Sequence, residues 1–213
     1  MKNKFRFRKE STISIIASIL IFIFFNLLFY NKMPDSLPTH WNLNSEVDSY
    51  GTRFEAMIGI HLFLIAMNIF LCFMLDNDPK NKKQNNFVIT ISKFSIPAIM
   101  FIIYIITVLS GFGKDVKATN IITPLVGLLL IAIGNYMPKI KRNYTVGIKL
   151  PWTLNSDENW RRTHRVGGYS FIFAGILFLI ITVLRYEFLI LIPFIICMII
   201  PMIYSFYLYK NGI

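Results

Sequence analysis

The sequence predicts an all-α integral membrane protein with six transmembrane helices and both termini cytoplasmic. Three observations lead there. The 213-residue chain is 55% hydrophobic and only 15% charged, with a mean hydropathy of +0.56, whereas soluble domains run near 25% charged. Six stretches (12–30, 56–75, 94–113, 121–137, 166–184 and 188–209) contain no Asp, Glu, Lys or Arg. Each approaches or exceeds the roughly 20 residues a helix needs to cross a hydrocarbon core of about 30 Å. Finally, the net charge of +11 is unevenly distributed along the chain.

The first stretch follows Lys2, Lys4, Arg6, Arg8 and Lys9, as a signal peptide would. It is read as an anchor, because no small-residue cleavage site follows and the chain continues Tyr30-Asn31-Lys32-Met33. Counting Lys and Arg on alternate sides of the six spans places 17 with the termini and five on the other face. The positive-inside rule makes the 17 cytoplasmic. The cytoplasmic side then carries +12 and the outer side −1, so the excess charge describes topology and not a nucleic-acid footprint. Lys93 falls at a cytoplasmic helix mouth, where its side chain is expected to snorkel. Residues 1–93 read as a two-span region and 94–213 as a four-span region. Cys72 and Cys197 lie inside spans and are read as apolar residues, not a disulfide.

Between the first two spans, the external segment holds Pro34 and Pro38, then His40, Trp41 and Asn42, then turn formers through Asp48 to Gly51. The prolines keep the backbone extended and end the preceding helix. Trp41 could stack on a ligand while His40 or Asp48 bonds to it; an interfacial Trp anchor on a structured turn serves the same residues.

The longest loop, 138–165, is cytoplasmic and carries seven basic residues, Tyr144, Trp152 and Trp160. Pro138 fits a helix end. The run Asn143 to Leu154, with Gly147 and Pro151 inside it, reads as an extended hairpin or re-entrant arm. Asn155 with Glu158 three residues on resembles a capping box. Asp157–Arg161 and Glu158–Arg162 are i,i+4 pairs in the favourable order, on a helix expected to run into the fifth span. Trp160 and His164 share one face of it and Arg161 and Arg165 the next. That surface could dock a cytoplasmic protein or an anionic headgroup, or simply lie on acidic lipid.

Within the spans, His61 and Asn68 are seven apart on one face and suit hydrogen bonding between helices more than a transport path. Gly168, Ser170 and Ala174 form a small-residue stripe suited to close helix packing. His40, His61 and His164 are spread over an outer loop, a span and an inner loop, so no shared metal is expected. No phosphate loop, Gly-x-Ser-x-Gly elbow or nucleic-acid module is present. No catalytic residue, cofactor or direct nucleic-acid partner is therefore expected.

Several stretches are similar to the signature of the SdpI family of multi-pass immunity proteins. They are Asn135-Tyr136-Met137-Pro138-Lys139, then Gly147-Ile148-Lys149-Leu150-Pro151-Trp152-Thr153-Leu154, then Trp160, Thr163-His164-Arg165 and Gly168. Leu37 to Asn42 with Tyr50-Gly51 resembles a small domain of unknown function that often precedes it. Lys149-Leu150, Asn159 and Ser45 depart from the pattern, which has Arg-Thr, an aliphatic residue and Gly there. The resemblance implies a protein of the bacterial plasma membrane that protects against a secreted sporulation-delaying peptide toxin. In the best-known arrangement it also implies sequestration of a transcriptional repressor at the membrane. The toxin would meet Pro38, His40, Trp41, Asn42, Asp48 and Gly51; the signature loop would brace the bundle or engage a partner. The rival reading is a small transporter or lipid-handling protein using His61 and Asn68.

Overall fold

A computed structural model describes residues 7–79 and 86–213; the basic residues Lys2, Lys4, Arg6, Lys80, Lys82 and Lys83, counted in the topology, lie outside them. Its long helices are α1 (Lys9–Phe29), α2 (Ile60–Asn77), α3 (Asn86–Gly111), α4 (Ala118–Tyr136), α6 (Asp157–Leu184) and α7 (Leu191–Lys210). A short α5 (Pro151–Asn155) precedes α6. The six long helices are each long and apolar enough to cross a membrane, and the protein is an all-α integral membrane protein in its spanning part. One element departs from that class. Strands β1 (Ser36–Trp41) and β2 (Val47–Thr52) form an antiparallel hairpin between α1 and α2.

The contacts divide the chain into two compact units. One comprises residues up to Pro79 together with Asn86–Ala118, and the other runs from Thr119 to Ile213. α3, grouped by sequence with the C-terminal region, packs on α1 and α2.

The first unit is held by an apolar core and two polar clamps. Phe25, Met57, Met100 and Tyr104 are buried at its centre, with Phe25 stacked on Tyr104 at 4.6 Å between ring centroids. Asn68 is fully buried and donates to Ser18 Oγ (2.8 Å) and Ser14 Oγ (3.1 Å) on α1. The second clamp corrects an expectation: Lys93 does not snorkel. Its side chain is 1% exposed and its Nζ lies 2.6 Å from Asp76 Oδ1, on a carboxylate that is itself wholly buried. Asp76 also accepts from Ser11 Oγ (2.6 Å) and the Arg8 backbone N–H (2.7 Å). Asp76 and Lys93 flank the uncharged stretches by one residue, and each finds the other because burial makes a lone charge far costlier than a pair.

In the second unit, α4 and α6 cross at two glycine pairs. A Cβ on Gly134 would lie 2.6 Å from the Gly168 carbonyl oxygen, and one on Gly175 would lie 2.5 Å from that of Gly127. Both helices thus present glycines seven residues apart, allowing backbone-to-backbone approach. Ser170 and Ala174 are buried beside this crossing, but the glycines set its closeness. Cys72 and Cys197 are free and buried.

Lys93→Ala leaves Asp76 buried without its closest cation and is expected to cost about 3–5 kcal/mol. The double change Asp76→Asn, Lys93→Met is expected to be much milder. Thermal melts of the full-length proteins in detergent decide this; equal losses in both would refute the clamp.

Candidate functional site

Two connections carry the residues that the sequence singles out. In the hairpin, Met33 (2% exposed) and Leu37 (0%) insert into the core of the first unit. A Cβ on Gly111 of α3 would strike both, so that glycine makes their seat. The base is closed by an ion pair between Arg53 and Asp35, with the Arg53 N–H donating to the Asp35 carbonyl at 2.8 Å. A lone two-stranded hairpin is marginal in water; this one is tethered at its base to a membrane-embedded core.

Beyond the tether the hairpin is exposed. The register shifts between Pro38 and His40 and again between His40 and Trp41, an irregularity that suits a proline unable to donate to the ladder. His40 Nδ1 lies 2.6 Å from Asp48 Oδ1 across the strands. Asn42 organises the turn: its Oδ1 accepts from the N–H groups of Asn44 (2.9 Å) and Glu46 (3.0 Å). Ser45 sits at φ +64°, in the left-handed region that favours glycine, which accounts for the glycine usual there in the resemblance. Gly51 leaves room for Thr39 Cγ2, which a Cβ would meet at 2.8 Å. Trp41 is half-buried. So His40, Trp41, Asn42 and Asp48 do lie on one hairpin, with Pro38 and Gly51 nearer its base.

In the loop between α4 and α6, the structure turns the expected docking surface inward. Trp160 (2% exposed) and His164 (0%) are stacked at 4.0 Å. Trp160 Nε1 donates to the Ile140 carbonyl (2.8 Å), and His164 Nε2 accepts from the Ile148 N–H (3.0 Å) while Nδ1 donates to the Trp160 carbonyl (2.8 Å). This pairing fixes a neutral imidazole with its proton on Nδ1. Gly147, at φ +119°, passes directly over the two rings; a Cβ there would collide with His164 Nε2 and lie 3.0 Å from Trp160 Cζ2. Only glycine meets both requirements.

The other signature residues continue the same brace. Asn143 is fully buried; its Oδ1 accepts from the Thr145 and Val146 N–H groups (2.8 and 2.6 Å), and its Nδ2 donates to Lys141 and Val146 carbonyls. Thr153 Oγ1 accepts from the Leu150 N–H at 2.8 Å, starting α5, with Pro151 at its first position. Residues 151–155 are therefore helical and not part of an extended arm: a proline suits the first helical turn, where its missing donor is unneeded. Trp152 Nε1 donates to Ser205 Oγ (2.7 Å), and Ser205 and Thr163 both donate to Asn159 Oδ1 (2.9 and 3.0 Å). Asn159 is thus the hub tying α6 to α7, and it was visible in sequence only as an oddity.

Two smaller expectations need correction. The cap of α6 is Ser156, accepting from the Asn159 N–H, and not Asn155. Asp157 pairs with Arg142 (2.7 Å) instead of Arg161, because the loop brings Arg142 back over the helix start. Arg161 joins Arg162 on Glu158 (2.8 and 2.6 Å). Lys149 Nζ folds onto the Tyr144 and Thr145 carbonyls. Asn135, Pro138 and Arg165 are exposed, Pro138 lying against Gly168.

Within the spans His61 is fully buried and stacked on Tyr104 at 3.4 Å, and Tyr104 donates to the Met57 carbonyl and accepts from Asn26. Asn68 makes the interhelix bonds expected of the pair, but His61 does not: its two ring nitrogens are buried without a hydrogen-bond partner among the described residues, and the ring is held by its stack on Tyr104. This arrangement does not favour a transport path at His61 and Asn68. Among the described residues, no cluster of three His, Cys, Asp or Glu side chains could hold a metal.

A tethered polar hairpin on one connection and an internally braced loop on another define a six-span membrane protein whose polar connections are built structures. Comparison agrees. Residues 139–205 match the SdpI/YfhL protein family, and residues 17–65 match a domain of unknown function, DUF1648. Over 206 residues the chain is 24% identical to the immunity protein SdpI of Bacillus subtilis (strain 168), covering 95% of this chain and 97% of that protein. No solved structure matches. The chain is thus similar to the SdpI/YfhL family over residues 139–205, and it is a multi-pass membrane protein of bacteria.

Gly147→Ala is expected to unseat the loop from Trp160 and His164 while leaving the spans folded. Trypsin should then cut at Lys141, Arg142 or Lys149 several-fold faster than in the unchanged protein, with equal helical circular dichroism. Unchanged cleavage would show that the loop is not held by its passage over the rings.

Proposed function

We propose that this protein is a non-enzymatic membrane immunity protein, protecting its cell from a secreted antimicrobial peptide of the sporulation-delaying type. The observation that carries the reading is the similarity to the Bacillus subtilis immunity protein along nearly the whole of both chains. The positive-inside count puts the hairpin outside and the braced loop with both termini inside. A secreted toxin then meets the hairpin first. Its exposed, hydrogen-bonded His40–Asp48 pair, half-buried Trp41 and exposed Tyr50 offer polar and aromatic surface on a hairpin tethered at its base.

Sequestering a transcriptional repressor at the membrane is the finer part of the proposal and rests on the family resemblance. The burial of Trp160 and His164 leaves any such contact to exposed neighbours such as Tyr144 and Lys149, with the buried ring pair shaping the loop that presents them.

The test is expression of this chain in Bacillus subtilis lacking its own immunity protein, followed by challenge with the sporulation-delaying peptide. Survival is expected to rise by at least about tenfold, and His40→Ala with Trp41→Ala is expected to remove most of the gain at equal membrane abundance. Undiminished killing with the protein present in the membrane would contradict the proposal.

A further inference from the structure

Between α6 and α7 lies an open groove of about 330 Å³, lined by Glu158, Arg161, Arg162, Arg165, Val166 and Tyr204. Three guanidinium groups converge on it against one carboxylate. Glu158 holds Arg161 and Arg162 and stands seven residues, about 10 Å along the helix, from Arg165. Arg165 is exposed and takes part in none of the ion pairs formed among the described residues. The groove therefore keeps a net charge of +2 from its lining, with the unneutralised cation at the end nearer the membrane-spanning part of α6.

Position identifies the ligand. Arg165 directly precedes Val166, where the uncharged run of α6 begins, so a hydrocarbon core that starts at that run meets the guanidinium at the level of the lipid phosphates. The exposed face continues from Arg161 and Arg165 to Tyr169 (68% exposed), Phe173 (53%), Ile176 (43%) and Ile180 (45%). These residues recur every three or four positions and lie on one stripe. Along that stripe the order is cation, phenol, then hydrocarbon, which matches the order headgroup, interface, acyl chain in one leaflet. A soluble protein could meet the arginines but could not follow the stripe below Tyr169.

We propose that this groove binds the phosphodiester headgroup of an anionic phospholipid, with Arg165 as its principal cation, Tyr204 as a neighbouring phenol and an acyl chain lying along Tyr169 and Phe173. Arg161 and Arg162 add field while remaining tied to Glu158. The site depends neither on which leaflet it faces nor on the immunity reading, so either can fail without the other.

Full-length protein in dodecyl maltoside is titrated with dioleoylphosphatidylglycerol or dioleoylphosphatidylcholine, and bound lipid is read by native mass spectrometry. The phosphatidylglycerol is expected to bind at least about tenfold more tightly. Arg165→Gln, which breaks no ion pair, is expected to weaken that binding about fivefold, with Arg165→Lys recovering part of it. Lys117→Gln, a control elsewhere in the chain, should change nothing. Equal affinity for the two lipids, or no change in Arg165→Gln, would overturn the assignment and leave the face to a protein partner. Displacement of the lipid by millimolar inorganic phosphate would equally overturn it, as a site for free phosphate.

Discussion

Hydrocarbon provides no hydrogen-bond partner, so every polar group that this chain carries into or against the bilayer must be satisfied by the protein itself. That requirement explains the polar networks of both units; the exceptions are His61, whose two ring nitrogens are buried without a hydrogen-bond partner among the described residues, and Asn26 Oδ1. In the first, Asn68 bonds to the serines of α1, and Asp76 gathers Lys93, Ser11 and the Arg8 backbone. In the second, Asn159, Thr163, Ser205 and Trp152 form one connected network. Each network joins different helices at one level of the membrane, fixing register where apolar contacts alone would let helices slide.

The same requirement turns the longest loop into a structure. A loop rich in polar backbone can lie against a membrane only if its donors and acceptors are used. Asn143, Thr153, His164 and Trp160 each take up loop backbone groups, and Gly147 permits the close pass that makes this possible. The side chains most suggestive of a docking surface, an indole and an imidazole one helical turn apart, are spent on this internal work. What they leave exposed is a set of arginines, Arg161, Arg162 and Arg165, just ahead of the uncharged run of α6.

The spans were legible because the cost of a charge in hydrocarbon shows directly in composition: all six uncharged stretches became helices. The continuous α6 was legible from Glu158 and Arg162, which do pair, and the uncharged run that followed; the Asp157–Arg161 pair expected with them does not form. The hairpin was not foreseen as strands, since six residues with two register shifts and a proline show no alternation. Nor was the inward turn of Trp160 and His164, because helical spacing says which residues share a face and not what covers it. The Asp76–Lys93 pair was missed because a residue at a helix mouth has two outcomes, water or a buried partner, and only packing chooses. Of the close-packing glycines only Gly168 was picked out, with Ser170 and Ala174; Gly127, Gly134 and Gly175 were passed over, although a spacing of seven on both helices is the signal they carry.

The account depends most on the hairpin facing outward and the braced loop facing inward. Ser45→Cys and Tyr144→Cys place single thiols at the two, on a half-buried turn position and an exposed loop position, against native cysteines that are buried. Intact cells are treated with a membrane-impermeant maleimide, before and after permeabilisation. Labelling at 45 in intact cells, with 144 labelled only after permeabilisation, is the predicted result; the reverse pattern would contradict the account.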